Sequence, residues 1–425
     1  MIRRIHISYQ GCRMDCSSCT KGLEAMTFSY VTQHNDTWFR IARRYGVSTS
    51  ALFCCNPRLR EHAYIYPGQI IQIPLHPEAG YVIQAGDTLP DIAWRLQISP
   101  GCLTAANPGV DPLSPCVGQT IKLPAGDGAE IVDTKREYGY VELMEDIRCL
   151  RTKYPFLQVK TIGQSVLGRD IPAIRLGSGP KRMHFNGSFH ANEWITTLLL
   201  MKFIEQYAHA YDHRQLLRGR NVTELFAQTS LWVVPLVNPD GVELVHTGAV
   251  PDPVQHKQLV RWNHGSLDFT GWKANIRGVD LNDQFPAYWE EEKQRRAADG
   301  PGPRDYTGAH ALSEPEARAM ADFTSEHDFD MVIAFHTQGQ EIYWNYRDME
   351  PPASESIAKR FAKASRYRAI KLHASDAGYK DWFILQFRRP GFTVEAGIGV
   401  NPLPLSQFRS AYDDVIGLML EALVI

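Results

Sequence analysis

Two residues set the chemical question. His190 and Glu193 stand three residues apart, directly after the apolar run "MHFNGSF". An imidazole and a carboxylate at that spacing can converge on one cation from a turn or from the first turn of a helix. A third ligand has to come from elsewhere, and His336, closing the run "DMVIAFH", is the candidate. Two histidines and one glutamate that leave a fourth position to water form a catalytic zinc arrangement. Without a third partner the same pair would be only a hydrogen-bonded His and Glu. Glu395 belongs with them: "FTVEAG" puts it at the end of a buried strand, where an unpaired carboxylate is costly. "KANIRGVDLN" offers Arg277 and Asn282 on a loop too polar for core, and "NPDG" at Asn238–Gly241 reads as a structural, strand-ending turn.

Such groups need a rigid frame, and the pattern supplies one. From "KYPFL" onward, strand-like runs such as "RMHFNGSFH", "LWVVPLVNPDG", "DMVIAFH" and "PGFTVEAG" alternate with helical stretches such as 194–211 and 314–327. That alternation indicates an α/β sheet with helices on both faces. Polar residues gather just past the strand ends, where open α/β sheets place their sites. The chain has 425 residues, 44% hydrophobic and 22% charged, with a net charge of −2. That length suggests two or three domains, and that composition is globular. The charge balance gives no reason to expect nucleic acid. No apolar stretch is long enough for a membrane span, and no signal-peptide h-region follows Met1 or Met26, so the expected compartment is cytoplasmic. The eight cysteines are too sparse for a disulfide scaffold. Cys12, Cys16 and Cys19 have a spacing used by some iron–sulfur enzymes, but no cofactor-binding barrel follows them. Residues 1–27 read instead as a disordered, reduced leader, or as sequence before a true start at Met26. The other cysteines read as small apolar fillers.

Between that leader and "PAGDGAEIVDTKREYGY", a linker, the sequence repeats. Tyr30, Val31, Asp36, Thr37, Ile41, Ala42 and Arg44 recur 51 residues later as Tyr81, Val82, Asp87, Thr88, Ile92, Ala93 and Arg95. Gly68, Gln69, Ile71 and Pro74 return as Gly118, Gln119, Ile121 and Pro124, so the segment is a duplication. Each unit reads strand, helix, helix, strand, with N-cap residues at Asp-Thr and a closing strand ending at proline. The units resemble LysM modules, which bind GlcNAc-containing glycans such as peptidoglycan or chitin. That resemblance places Gly86, Asp87 and Thr88, and Asn107 at the next turn, near sugar.

Residues of about 135–425 resemble a zinc carboxypeptidase domain of the carboxypeptidase A type, through H-x-x-E, N-P-D-G, R-G-V-D-L-N, the strand-borne histidine and F-T-V-E-A-G. The resemblance implies one Zn2+ per chain, held by His190, Glu193 and His336. It implies Glu395 as general base and acid, moving a proton from water to the leaving amine, and Arg277 as the group that stabilises the oxyanion. The expected fold class is therefore α/β: a mixed, mostly parallel-containing sheet flanked by helices, preceded by two small βααβ LysM modules. The expected boundaries are 1–27, 28–76, 79–126 and 135–425.

Departures from the family pattern narrow the substrate. Carboxypeptidases of this family usually read Asn-Arg where this chain has Asn282-Asp283, and that pair grips a terminal carboxylate. An aspartate would repel it, so ordinary C-terminal trimming is disfavoured. "LNDQFPA" resembles a branch of γ-D-glutamyl-diamino acid peptidases, which cut peptidoglycan stem peptides and also carry tandem LysM modules. The expected partners are thus a stem peptide and a GlcNAc-containing glycan. Lys380 falls where the family lines its specificity pocket, as a partner for a diaminopimelate or D-Glu carboxylate or as a solvated surface lysine. The family's usual phenol is replaced by His373, by Tyr379 or by neither. The charged stretch 289–305 reads as a solvated helix and loop at the rim of the cleft. The alternatives are a general metallocarboxypeptidase and a non-catalytic wall-binding protein.

Overall fold

In the computed structural model of the chain, the apolar runs become the centre of one sheet because β-branched and aromatic residues alternate toward two covered faces. The structure describes residues 130–248, 250 and 252–425, and before them 27–32, 37–38, 41–42, 52–53, 56, 59, 65–66, 68–74, 80–84, 86–96 and 100–122. Residues 1–26, with Cys12, Cys16, Cys19 and Met26, lie outside the described residues. The chain divides into two compact units, Met1–Asp133 and Thr134–Ile425.

In the first unit, β1 (Thr27–Val31) pairs antiparallel with β2 (Ile70–Pro74), and β3 (Gly80–Val82) pairs antiparallel with β4 (Thr120–Lys122). Helices Leu89–Leu96 and Pro100–Ala106 lie between β3 and β4, as the repeat requires. Pro90 occupies the first turn of its helix, where the missing N–H costs little. Tyr81, Ile83, Leu89, Ile92, Leu103 and Ile121 are buried together.

The second unit carries β5 (Gln158–Gln164), β6 (Asp170–Leu176), β7 (Lys181–Gly187), β10 (Thr229–Val234), β11 (Met331–His336), β12 (Glu341–Tyr343), β13 (Arg368–Ile370) and β14 (Gly391–Glu395), while β8 (Leu216–Leu217) and β9 (Arg220–Asn221) form a separate short hairpin. The eight strands lie in the order β13-β12-β14-β11-β7-β10-β6-β5. The four central strands, β14, β11, β7 and β10, run parallel, and antiparallel pairs join the outer strands to them on both sides. The sheet is mixed around a parallel centre.

β11 illustrates how both faces are covered. Val332 and Ala334 pack with Phe323 of helix Pro315–His327 and with Tyr379 and Phe383 of helix Tyr379–Phe387. On the other face Phe335 meets Phe185, which meets Phe203 of helix Ile195–Asp212. The parallel strands β7, β11 and β14 therefore all end at one edge, and the polar residues of interest follow those ends. Cys116 is exposed and Cys149 half-buried, so neither is the buried filler expected.

Candidate active site

β7 delivers the first two groups. After Gly187 the chain turns through Ser188, whose φ of 52° is unusual for a residue with a side chain. Hydroxyls hold it there: the Ser188 N–H donates to Thr196 Oγ1 at 2.8 Å, and Ser188 Oγ lies 2.8 Å from Thr197 Oγ1. His190 follows in extended backbone, and the 3-10 turn Ala191–Glu193 brings Glu193 back beneath it. Asn238 fixes this turn from the next loop, its Nδ2 donating to the carbonyls of Phe189 (3.2 Å) and Ala274 (3.1 Å). Gly241 is required beside it, since a Cβ there would stand 2.8 Å from that of Ala191. The "NPDG" turn is structural, as its sequence suggests.

β11 delivers the third group. His336 Nδ1 lies 2.9 Å from Glu193 Oε2 and 3.1 Å from His190 Nδ1, while His190 Nδ1 lies 2.8 Å from Glu193 Oε1. All three side chains are buried. Two imidazole nitrogens so close, with a carboxylate facing both, aim their lone pairs at one point. Donor atoms of the three residues lie within 4.8 Å of one another, and the two-nitrogen, one-oxygen set is that of a catalytic zinc site, so these residues fit a divalent cation. Burial opposes charge on His190, but Glu193 and Asp280 outweigh it and hold its pKa up at about 9. Burial likewise opposes charge on Glu193, yet the two imidazoles keep it well below the usual carboxylate range. A bound cation would take the place of the proton held between them.

Glu395 needs no long reach to join this group. It ends β14 in direct parallel register with His336, so the two side chains leave the sheet on the same face. Burial and then the neighbouring Glu193 push its pKa up to about 8. A cation held by the His–Glu–His set would draw that value down.

Behind His190 stands a residue that sequence reading passed over. Asp280 is fully buried, with Oδ1 3.2 Å from His190 Nε2 and Oδ2 2.9 Å from Lys273 Nζ. Despite burial, Lys273 and then His190 keep Asp280 ionised, with its pKa well below the usual value. Outer carboxylates of this kind fix the tautomer and orientation of a metal-binding histidine. Its sequence signal was a charged residue inside the otherwise apolar "GVDL".

Several expectations are corrected. Among the described residues no hydrogen bond or ion pair ties Arg277 to the cluster. Asn275 Oδ1 accepts from the N–H groups of Arg277 (2.9 Å) and Val279 (3.1 Å), folding a tight turn whose tip is Arg277. Its side chain is 53% exposed, and the acid near it is Glu314 at 3.6 Å. Asp283 is not a bare negative charge: it is buried, and Arg296 Nε lies 2.8 Å from its Oδ2. Burial and then Asp280 raise the Asp283 pKa to about 7, against the pull of Arg296. The repulsion expected of Asp283 is thus largely offset. Arg296 comes from helix Trp289–Arg296, which is no freely solvated helix, because Trp289 and Glu292 are buried and Arg295 pairs with the buried Asp376.

Tyr379 is a core residue, with Oη 2.8 Å from Thr324 Oγ1 and its ring against Phe189 and Phe285, so it does not replace the family phenol. Asn282, half-buried, accepts at Oδ1 from the Tyr379 N–H at 3.2 Å and so caps that helix. Lys380 is not solvated: it is buried, and Nζ donates to the Asn345 carbonyl at 2.7 Å and to Asp381. It lines a cavity of about 210 Å³ together with Arg347, Lys371, Asp376 and the exposed His373.

In the first unit, Asn107 is buried and structurally engaged. Its buried carboxamide donates to the carbonyls of Leu103 (2.8 Å) and Lys122 (2.8 Å) and accepts from the Lys122 N–H (2.7 Å). Asn56 does the same in the first repeat, toward Leu52 and Gln72. Gly86 is exposed with φ +85°, Asp87 Oδ2 accepts from Tyr81 Oη at 2.7 Å, and Thr88 pairs with Asp91 at 2.6 Å. These three shape an accessible turn.

The family described as zinc carboxypeptidase matches residues 143–409, and the LysM domain matches residues 30–74 and 81–124. Gamma-D-glutamyl-L-diamino acid endopeptidase 1 of Lysinibacillus sphaericus is 50% identical over 293 residues, covering 69% of this chain and 74% of that protein. The uncharacterized protein YqgT of Bacillus subtilis (strain 168) is 41% identical over 296 residues, covering 69% and 78%. Among solved structures, bovine thrombin-activatable fibrinolysis inhibitor in complex with tick carboxypeptidase inhibitor superposes with a TM-score of 0.54 at 19% identity, covering 68% of this chain and 97% of that one.

Proposed function

This chain belongs to the zinc carboxypeptidase family, and from that premise we propose that it is a zinc-dependent peptidase that hydrolyses the γ-D-glutamyl–diaminopimelate bond of peptidoglycan stem peptides. The observation that carries the reading is the 50% identity over 293 residues to an endopeptidase named for a γ-D-glutamyl-L-diamino acid bond, beside a zinc carboxypeptidase match over 143–409 that holds the converging His190, Glu193 and His336. The LysM pair implies binding to peptidoglycan and association with the cell wall. We assign the glycan contact to GlcNAc-containing strands at the Gly86–Asp87–Thr88 turn. Among the described residues no helix is long and apolar enough to cross a membrane.

His190, Glu193 and His336 would hold one zinc ion, which supplies Lewis-acid polarisation of the scissile carbonyl and a more acidic water. Glu395, at the sheet edge beside His336, takes a proton from the attacking water as its oxygen bonds to the carbonyl carbon. When the C–N bond breaks, Glu395 gives that proton to the leaving nitrogen, so the products are the D-glutamyl γ-carboxylate and a free amine. Asp280 keeps His190 aimed throughout. Lys380 and His373, which line a cavity that holds Arg347 and Lys371 as well as Asp348, Asp376 and Asp381, are assigned to a diaminopimelate carboxylate. Asn282 and Asp283, without the family arginine, leave a terminal carboxylate ungripped.

The test is mass spectrometry of L-Ala-γ-D-Glu-diaminopimelate digested by the full chain. The expected products are L-Ala-D-Glu and diaminopimelate, lost with a chelator and restored by zinc. With the tetrapeptide that ends in D-Ala, release of D-Ala alone would refute the reading.

A further inference from the structure

Amide hydrolysis puts negative charge on the carbonyl oxygen, and a positive side chain beside the His–Glu–His set would share with the zinc in meeting it. Lys273 follows the buried Trp272, and its backbone carbonyl accepts from the Ala191 N–H at 3.0 Å, between the ligand residues His190 and Glu193. Its own N–H donates to the Pro303 carbonyl at 2.8 Å, so the residue is pinned on both sides of the loop. The ammonium lies 2.9 Å from Asp280, its one ion-pair partner among the described residues, which leaves two N–H bonds for a ligand. The side chain keeps 16% exposure, so the charge is largely desolvated yet reachable. Its charge bears on His190, His336 and Glu395, and that of Glu193 bears on it.

We propose that Lys273, in place of Arg277, is the catalytic cation that meets the charge developing on the scissile carbonyl oxygen, with Asp280 as its tether. The assignment rests on the hydrolytic reading above. A compact ammonium held in place before the reaction needs little reorganisation as that charge appears.

The experiment compares K273M, K273R and R277M in the zinc-loaded full chain. It measures kcat and KM on the stem peptide, zinc content, and calorimetric affinity for a phosphinic mimic of the γ-glutamyl amide and for the product L-Ala-D-Glu. K273M should lower kcat by about 10²–10³-fold, the usual loss for one oxyanion donor, with KM and zinc content little changed. It should weaken phosphinate binding by a similar factor but product binding by less than about threefold, and K273R should recover at least about tenfold of the kcat. R277M should stay within about twofold of wild type, as an exposed charge outside the site would. The proposal is overturned if K273M retains kcat and phosphinate affinity, or if its losses merely follow lost zinc and K273R restores nothing. If the wild type is inert on the stem peptide, the hydrolytic reading fails, and Lys273 is then judged on phosphinate affinity alone.

Discussion

Replacing Asp280 with asparagine isolates the support behind the metal ligands. The side chain is fully buried, with one oxygen 3.2 Å from His190 and the other 2.9 Å from Lys273. Asparagine keeps the shape but removes the anion, and every consequence has the same sign. The one oxygen left can accept from His190 or from Lys273 but not from both, a negative charge near the cation disappears, and Lys273 loses its ion pair beside a dication. Outer-shell replacements of this kind typically weaken metal binding by about 10–100-fold, equivalent to about 1.4–2.7 kcal/mol. The assay is competitive titration of metal-free protein with zinc against a chromogenic chelator, with circular dichroism to establish that D280N is folded. If folded D280N binds zinc within about twofold of wild type, Asp280 does not support His190, and the chain of contacts from Lys273 to the metal ligands carries no energy.

E395Q should lower kcat by about 10²–10⁴-fold at unchanged zinc content. Because Glu395 works as a base only when ionised, wild-type activity should fall as pH drops through its pKa, and the residual E395Q rate should lack that acidic limb. Asp146 is buried with its pKa raised to about 8, chiefly by burial. Its folded value lies above its unfolded one, so the folded chain binds the proton more tightly, and stability should decline as pH rises from about 4 to 8. D146N still accepts from Tyr138 and should flatten that decline in urea midpoints taken at low and high pH; an unchanged slope would exclude Asp146 as its source. N107A removes three hydrogen bonds, one of them fully buried, and should destabilise the second repeat by about 1–3 kcal/mol, read as faster hydrogen exchange over 80–124. If glycan affinity falls while exchange protection is untouched, Asn107 is a sugar contact after all.

The convergence of His190, Glu193 and His336 was legible in sequence because its geometry is local or topological. His190 and Glu193 share one turn, and His336 and Glu395 each end an apolar run, where parallel strands collect their polar residues. The sheet was legible for the same reason. What failed was decided by contacts between distant segments. Arg277 stands in a turn that Asn275 folds by accepting from two backbone N–H groups, a contact that its sequence spacing does not announce. Asp283 read as a free charge because Arg296 reaches it from another element. Tyr379 offered a phenol, but the start of its helix is pinned by Asn282 and its ring is drawn into the core. Asn107 stood at a turn suited to sugar, yet its equivalent Asn56 makes the same three bonds, and a duplicated structural bond looks like a duplicated ligand when only letters are compared.

The side-by-side placement of His336 and Glu395 has a wider consequence. Their spacing is dictated by main-chain ladder bonds common to all parallel strands, and not by any particular neighbour's size. Insertions or exchanges in the surrounding loops can therefore retune what is admitted without disturbing the proton transfer itself. A scaffold built this way separates the evolution of selectivity from the preservation of reactivity.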